Sequence, residues 1–241
     1  MSRLDHQLAV VTGASRGIGA SIAACLTESG ARVIRVSRTL KPRTAGQVHD
    51  LACDVSVAEQ VERLAAAVVE QHGVPDIVVS NAGAFLLRPL ESTSVLDLDT
   101  QLAVNLKATF LIAKAFLPLM RKAGRGSFIT IGSVADHRGF PENAAYAASK
   151  YALRGLHETL LEEYRGTGVR LTLVSPGSTN SSIWDPYDPD RRKGFTPRAG
   201  MLHPSDVADA VLFVATRPPH VLIDWLRLSP TGKKAAADER R

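Results

Sequence analysis

The chain has 241 residues, 45% hydrophobic, 22% charged and 5% aromatic, with a formal net charge of +5. That apolar share excludes intrinsic disorder, the length suffices for one large α/β domain, and no uninterrupted run of about 18 apolar residues marks a membrane span. The apolar stretch at residues 8–11 is too short for a signal peptide, and the two cysteines, Cys25 and Cys53, read as reduced thiols of a cytoplasmic protein, outside any disulfide or metal pattern.

In chain order, residues 8–11 predict a first strand, followed by a helix over 17–29 with Gly30 as its left-handed cap. A second strand falls at 32–36. Ser56-Val57-Ala58-Glu59 has the form of a capping box, after which Val61, Leu64, Ala65, Val68 and Val69 recur at helical spacing until Gly73 and Pro75. Strands at 77–79 and 127–131 flank a helix over 98–122, whose apolar side carries Leu102, Leu106, Ile112 and Phe116. A further helix begins near Asn143 and ends near Gly166 or Gly168; a strand at 169–174, a helix at 205–216 capped by Ser205 and a strand at 221–228 complete the series. Alternating apolar strands and helices predict an α/β fold with a parallel sheet covered on both faces. Residues 178–202 break the rhythm with prolines, the basic run Arg191-Arg192-Lys193, and Trp184, Tyr187 and Phe195, and read as a lid or binding loop or else as a surface insertion. Residues 231–241 read as a charged, disordered tail. No nucleic-acid-binding motif accompanies the positive charge, and no histidine cluster suggests a metal.

Directly after the first strand stands Thr12-Gly13-Ala14-Ser15-Arg16-Gly17-Ile18-Gly19. Glycines at this place let the backbone turn sharply and approach a pyrophosphate, and the following helix offers its free N–H groups to the anion. The turn therefore predicts dinucleotide binding. A carboxylate at the end of the second strand would select NAD; Ser37 and Arg38 stand there instead, with no acidic residue before Asp50. A guanidinium pairs with a 2′-phosphate that a carboxylate would repel, and Arg16 can reach the same group, so the predicted cofactor is NADP(H).

Tyr146 and Lys150 are four residues apart, on one face of a helix. A neighbouring ammonium favours the ionised phenol, which suits a tyrosine that passes a proton to a carbonyl oxygen or takes one from an alcohol. Ser133, at the end of its strand, is the hydroxyl that would hold that oxygen. His137 nearby reads as an ordinary loop histidine, whereas Phe85, Leu86, Phe140 and Trp225 are candidates for an apolar pocket or for core packing.

In order along the chain, Thr12 to Gly19, Asp54-Val55, Ser80-Asn81-Ala82-Gly83, Asn105, Ser133, Tyr146 with Lys150, and Pro176-Gly177 resemble the short-chain dehydrogenase/reductase family. The resemblance implies a Rossmann-type doubly wound parallel sheet of about seven strands in a single domain, residues 1–230. It implies Tyr146 as general acid/base and Lys150 as the group that lowers its pKa and binds the nicotinamide ribose. Ser133 would orient the substrate, and Asn105 would hold a water that links Lys150 to solvent. For the cofactor it implies Gly13, Ser15, Arg16, Gly17, Ile18 and Gly19 in the turn, Ser37 and Arg38 beyond the second strand, and Asp54 and Val55 at the adenine. Asn81, Ala82 and Gly83 would lie beside the ribose, and Pro176, Gly177 and Thr179 beside the nicotinamide. A homodimer or homotetramer through the helices 98–122 and 143–166 is implied too. The expected activity is NADPH-dependent carbonyl reduction or alcohol oxidation on a small molecule, with a 3-oxoacyl-carrier-protein reductase or a non-catalytic NADP-binding sensor or scaffold as alternatives. Ser80 departs from the asparagine common at its position, and the end of the last strand, Leu226 to Gly232, lacks the Val-Asp-Gly-Gly-like signature of the acyl-carrier reductases.

Overall fold

β1 (Leu8–Thr12) runs Leu-Ala-Val-Val-Thr with every residue buried. Alternate side chains enter opposite layers: Leu8 and Val10 join one apolar cluster, Ala9 and Val11 the other. This two-sided burial is what an apolar parallel strand requires. The computed structural model describes residues 4–232, so the expected tail lies, from residue 233 on, outside the described residues.

After α1 (Gly17–Glu28) and β2 (Arg32–Ser37) come β3 (Arg43–Ala45) and β4 (Val48–Ala52), then α2 (Ala58–His72) and β5 (Ile77–Ser80). A continuous helical run follows: α3 (Val95–Gln101), a π-helical segment (Leu102–Lys107) and α4 (Ala108–Ala123). The remaining elements are β6 (Gly126–Ile131), α5 (Ala144–Glu163), β7 (Val169–Pro176), α6 (Pro204–Ala215) and β8 (Trp225–Leu228). They form one eight-stranded sheet in the order β3-β4-β2-β1-β5-β6-β7-β8, parallel except for β3. The sheet thus has eight strands where about seven were expected. The two strands not located from sequence are those of the hairpin β3–β4 at the edge, which lacks an apolar run: β4 pairs in parallel with β2, and its buried Asp50 receives both Nε and Nη2 of Arg35 at 2.7 Å.

α1 and α6 cover one face with Ile22, Leu26, Val207 and Val211. α2 and α4 cover the other with Val61, Leu64, Val68, Ile112, Phe116 and Met120, and Leu160 and Leu161 of α5 pack against the same cluster. The run Val95–Ala123 has the length and composition of a membrane span, the one such helix among the described residues. Its side chains Ile112, Phe116 and Met120 are nevertheless fully enclosed against the sheet, where β6 supplies Phe128. That burial explains its hydropathy.

Two expected caps are corrected. α2 starts at Ala58 with Val57 in the cap position, because the Ser56 hydroxyl donates to Asp54 Oδ1 at 2.7 Å rather than capping the helix. α6 starts at Pro204, one residue before the expected cap Ser205; the Asp206 carboxylate accepts the His203 N–H at 2.7 Å. The long helix also begins earlier than expected, at Val95, where Ser94 and Asp97 form a reciprocal capping box.

His157 of α5 is buried, and desolvation lowers its pKa to about 4. In the unfolded chain it titrates near ~6.5. The unfolded state therefore takes up a proton first as pH falls, and the stability present above about pH 6.5 is lost toward pH 4, by about 3 kcal/mol in all. Urea unfolding midpoints between about pH 7.5 and 4 should fall less steeply in His157→Gln than in the parent chain.

Candidate active site

The strand order reverses direction between β1 and β5, and a cleft of about 910 Å³ opens at their carboxyl ends. At this point the Thr12 hydroxyl accepts the backbone N–H groups of Asn81 at 2.9 Å and Ala82 at 3.1 Å. The Asn81 carboxamide donates back to the Thr12 carbonyl at 2.9 Å. Gly13 has φ +66°, and a Cβ on Gly19 would lie 2.4 Å from the Gly13 carbonyl oxygen and from Asn81 Nδ2. These contacts leave no space for a side chain at Gly13 or Gly19. Arg16 occupies the cap position of α1 in extended conformation and no side chain caps the helix, so its first N–H groups face the cleft mouth without an internal partner.

Ser15, Arg16, Gly17 and Ile18 line this end together with Ser37 and Arg38. The Ser37 hydroxyl accepts N–H groups from Thr39 and Leu40 at 3.3 and 3.2 Å, which bends the chain after β2 and leaves Arg38 exposed at the rim. Asp54 and Val55 form the opposite wall. Asp54 Oδ1 accepts both the N–H and the hydroxyl of Ser56, and these bonds hold its carboxyl below the ordinary range, with a smaller contribution from Arg38. Cys53, buried beside it, has its thiol pushed up to about 11 by desolvation. Asn81, Ala82 and Gly83 line the centre. Ser80 is explained by a buried contact, its hydroxyl 3.0 Å from that of Thr109 on α4.

At the far end the cleft is lined by Ser133, Tyr146, Lys150 and Asn105. Asn105 lies in the π-helical segment, buried, with its carboxamide accepting from Ala84 N–H at 2.8 Å and donating to Ser149 Oγ at 2.9 Å. Ser149 in turn donates to the Tyr146 carbonyl at 2.7 Å. The Lys150 ammonium donates to the Ile131 carbonyl at 3.1 Å and lies 5.8 Å from the centre of the Tyr146 ring. Burial pushes the Tyr146 phenol up to about 12, against a hydrogen bond from Ser133 that lowers it, and the Asp136 charge raises it further. Burial lowers Lys150 to about 8, and Asp136 opposes that shift. Desolvation thus works against the downward effect expected of Lys150 on the phenol.

Pro176, Gly177 and Thr179 complete the wall at the end of β7, where the Thr179 hydroxyl donates to the Gly177 carbonyl at 3.0 Å. Residues 178–202 are ordered across the cleft. Trp184 is buried and donates its Nε1–H to the Thr179 carbonyl at 3.1 Å, Arg198 Nη1 donates to Asn180 at 3.0 Å, and Arg198 Nη2 to Asp185 at 2.8 Å. Arg192 pairs with Glu142 across the opening. Phe85 meets Tyr146 edge-on at 4.9 Å and Trp184 at 4.9 Å. Phe85 and Phe140 face the cleft, but Leu86 and Trp225 do not: Trp225 packs on His137, 5.5 Å between ring centres, outside the cleft. Every residue expected to act in catalysis or to hold the cofactor thus borders one cavity, whereas Leu86 and Trp225 of the expected apolar pocket do not. Sequence reasoning missed Leu87, Glu142 and Asn143, which border it too, and Asp136 behind it. None of these carries a motif; contacts between parts of the chain distant in sequence, such as Arg192 with Glu142 and Ser175 with Asp136, bring them there. Among the described residues, no group of three or more histidine, cysteine or acidic side chains can hold a metal ion.

The family model described as short chain dehydrogenase matches residues 7–192. The chain belongs to the short-chain dehydrogenase/reductase family. Among its relatives, the D-threitol dehydrogenase of Mycolicibacterium smegmatis is 35% identical over 227 residues, covering 89% of this chain and 87% of the relative. A metagenomic short-chain oxidoreductase solved in complex with NADP superposes with a TM-score of 0.79 at 35% identity, covering 96% of this chain and 100% of that one. The closed form of serine dehydrogenase complexed with NADP+ superposes with a TM-score of 0.85 at 28% identity, covering 98% and 100%. This short-chain dehydrogenase/reductase shares the doubly wound sheet that the resemblance implied, with one more strand.

Because a Cβ on Gly19 would meet the Gly13 backbone on one side and the Asn81 side chain on the other, Gly19→Ala must displace the turn or Asn81. Its cost is expected at about 2 kcal/mol or more, the range of overpacking in a closed site, and a thermal melt of the ligand-free protein reads it.

Proposed function

We propose that the chain is an NADPH-dependent carbonyl reductase, reversible as an alcohol dehydrogenase, in which Tyr146 exchanges a proton with the substrate oxygen. The observation that carries this reading is the convergence of Ser133, Tyr146 and Lys150 at one end of a cleft whose other end is the glycine turn with Arg16 and Arg38.

The residues present fit the cofactor. Gly13 and Gly19 leave a cradle that a Cβ would fill, and the uncapped start of α1 offers N–H groups to a pyrophosphate. Arg16 and Arg38 would hold a 2′-phosphate. Asp50, the first carboxylate after β2, is committed to Arg35 and so does not compete for the ribose. Asp54 and Val55 would border the adenine, Asn81, Ala82 and Gly83 the ribose, and Lys150, Pro176, Gly177 and Thr179 the nicotinamide. When bound, the nicotinamide supplies or accepts hydride.

The chain's own groups handle the oxygen. A phenol whose pKa is raised to about 12 keeps its proton at neutral pH, which suits a donor to a carbonyl oxygen that gains negative charge. Ser133 would hold that oxygen in place, and Lys150 would offset the charge left on Tyr146. Asn105, fixed by Ala84 and Ser149, orients the helical turn beneath them. Residues 178–202 are read as the substrate loop; Trp184, whose only polar atom is already bonded to Thr179, presents an apolar ring beside Phe85 and Phe140, so the preferred substrates are apolar ketones or aldehydes. Exposed Phe110 and Tyr151, on the long helical run and α5, support self-association as a dimer or tetramer.

In an assay of ketones, aldehydes and secondary alcohols, turnover is expected with NADPH, and Tyr146→Phe should lower kcat by about 10²- to 10⁴-fold. No turnover across the panel, or equal rates for both proteins, would sink the reading. Arg38→Asp should raise the NADPH KM by about tenfold or more and reduce the preference over NADH; an unchanged ratio would mean that Arg38 does not meet the phosphate.

A further inference from the structure

We propose that Asp136 is a positioning residue of the reaction centre, its enclosed carboxylate fixing the backbone of Ser133 and setting the charge that the Tyr146–Lys150 pair experiences. This rests on the reading of those three residues given above.

Asp136 ends the short 3₁₀ turn Val134–Asp136 behind the cleft and has 0% exposure. Its Oδ2 accepts the Ser133 N–H at 3.2 Å and the Ser175 hydroxyl at 2.5 Å, and its Oδ1 is 2.8 Å from His137 Nδ1. The Ser175 hydroxyl also accepts Trp225 Nε1–H at 2.9 Å, and Trp225 carries the guanidinium of Arg154 at 4.7 Å from its ring centre. Gly132 gives the carboxylate its space, since a Cβ there would lie 2.5 Å from Oδ2. Strands β6 and β7, the turn and β8 therefore converge on one side chain. A carboxylate withdrawn this far from water needs such donors and a nearby positive charge to persist.

Lys150 is the buried cation on which the Asp136 charge acts, and its one hydrogen bond among the contacts above is to Ile131, two residues before Ser133. The other titratable groups facing this region are Tyr146 and His157 on α5, His137 on the turn itself, and Asp224 before β8, which acts on His157. Arg154 and Arg227 stack on Trp225 rather than on the carboxylate. A negative charge at Asp136 raises the proton affinity of both Tyr146 and Lys150. It thereby keeps the ammonium charged in a desolvated place and keeps the phenol a proton donor. A residue that only capped the turn would do neither.

Asp136→Asn separates the two roles, because it retains an acceptor for Ser133 and Ser175 and removes the charge. In ligand-free protein, the phenolate absorbance of Tyr146, isolated by subtracting Tyr146→Phe, should appear roughly one pH unit lower in Asp136→Asn than in the parent. The acidic limb of kcat/KM for alcohol oxidation should move the same way. Asp136→Ala, which also frees the Ser133 backbone, should lower kcat by about tenfold or more, and combining it with Ser133→Ala should cost less than the product of the single losses. An unshifted or raised titration in Asp136→Asn, or independent losses in the double variant, would overturn the proposal. If Asp136→Asn fails to melt cooperatively, Ser175→Ala carries the test: about a threefold or larger loss of kcat with unchanged coenzyme KM supports it, and parental kcat refutes it. A shifted phenolate without any turnover would leave the assignment of Asp136 standing and remove the proposed function; turnover lost in Tyr146→Phe with no shift in Asp136→Asn would do the reverse.

Discussion

Where β1 and β5 end side by side, the hydroxyl of Thr12 is shared between two backbone N–H groups of the next strand's exit, and Asn81 returns the contact to the Thr12 carbonyl. The sheet order diverges there, so these bonds hold the two lips of the crevice at a fixed separation. From Asn81 a buried polar chain continues inward. Ala84 is caught by the Asn105 carboxamide, Asn105 reaches Ser149, and Ser149 reaches the carbonyl of Tyr146. The glycine turn and the start of α5 are thus joined through hydrogen bonds rather than through apolar packing alone. Hydrogen bonds have definite lengths and directions, so the separation between the two ends of the cleft is fixed more sharply than a sliding apolar contact would fix it. The wide π turn at Asn105 is part of this: it interrupts the helix where the carboxamide must face the strand exit rather than the next turn.

Charge is distributed unevenly along the same cleft. Arg16 and Arg38 stand exposed at one end, where water screens them and an anion would displace that water. At the other end Lys150 and Asp136 are withdrawn from solvent, and each modifies the proton affinity of its neighbours. Burial raises the phenol and lowers the ammonium, which separates their pKa values instead of matching them. Asp136 is the one carboxylate named as acting on both, and it moves both upward. Asp136 therefore biases the far end toward protonated forms, against the burial that lowers Lys150, while two exposed guanidinium groups stand at the near end.

Much of this was legible in the sequence because it depends on local rules. Alternating apolar strands gave the parallel sheet, and the glycines after β1 marked the turn where Gly13 and Gly19 leave no room for a Cβ. Tyr146 and Lys150 share a helical face by spacing alone. What escaped depends on partners distant in sequence. The hairpin β3–β4 is held by an Arg35–Asp50 pair and strand pairing rather than by an apolar run, so hydrophobic periodicity is blind to it. Asp136 looks like a loop acid until Ser175, 39 positions away, is folded onto it. The caps of α2 and α6 failed for a related reason: Ser56 had a nearer acceptor in Asp54, and Pro204 took the first helical position ahead of Ser205. For Tyr146, spacing gives the Lys150 neighbour but not the depth of burial, which acts in the opposite direction.

The substrate end follows from which polar atoms are already engaged. Trp184 spends its N–H on the Thr179 carbonyl, and Tyr187 directs its hydroxyl to the Phe85 carbonyl at 3.3 Å. Arg192 is paired with Glu142 and stacked on Phe195. These commitments hold residues 178–202 in place and leave the ring faces toward the cleft. A site that selects a polyhydroxylated substrate must offer free donors and acceptors to its hydroxyls, since a polar group left unpaired on either side costs about 1–3 kcal/mol. On the proposed reading, the aromatic part of this wall has spent its polar atoms on itself, while Ser181, Ser182, Thr196 and the unpartnered Asn143 Oδ1 still border the cleft. The 35% identity to a D-threitol dehydrogenase accordingly speaks for the sheet and the turn, and the proposed preference for a less polar carbonyl compound rests on the rings of the loop alone.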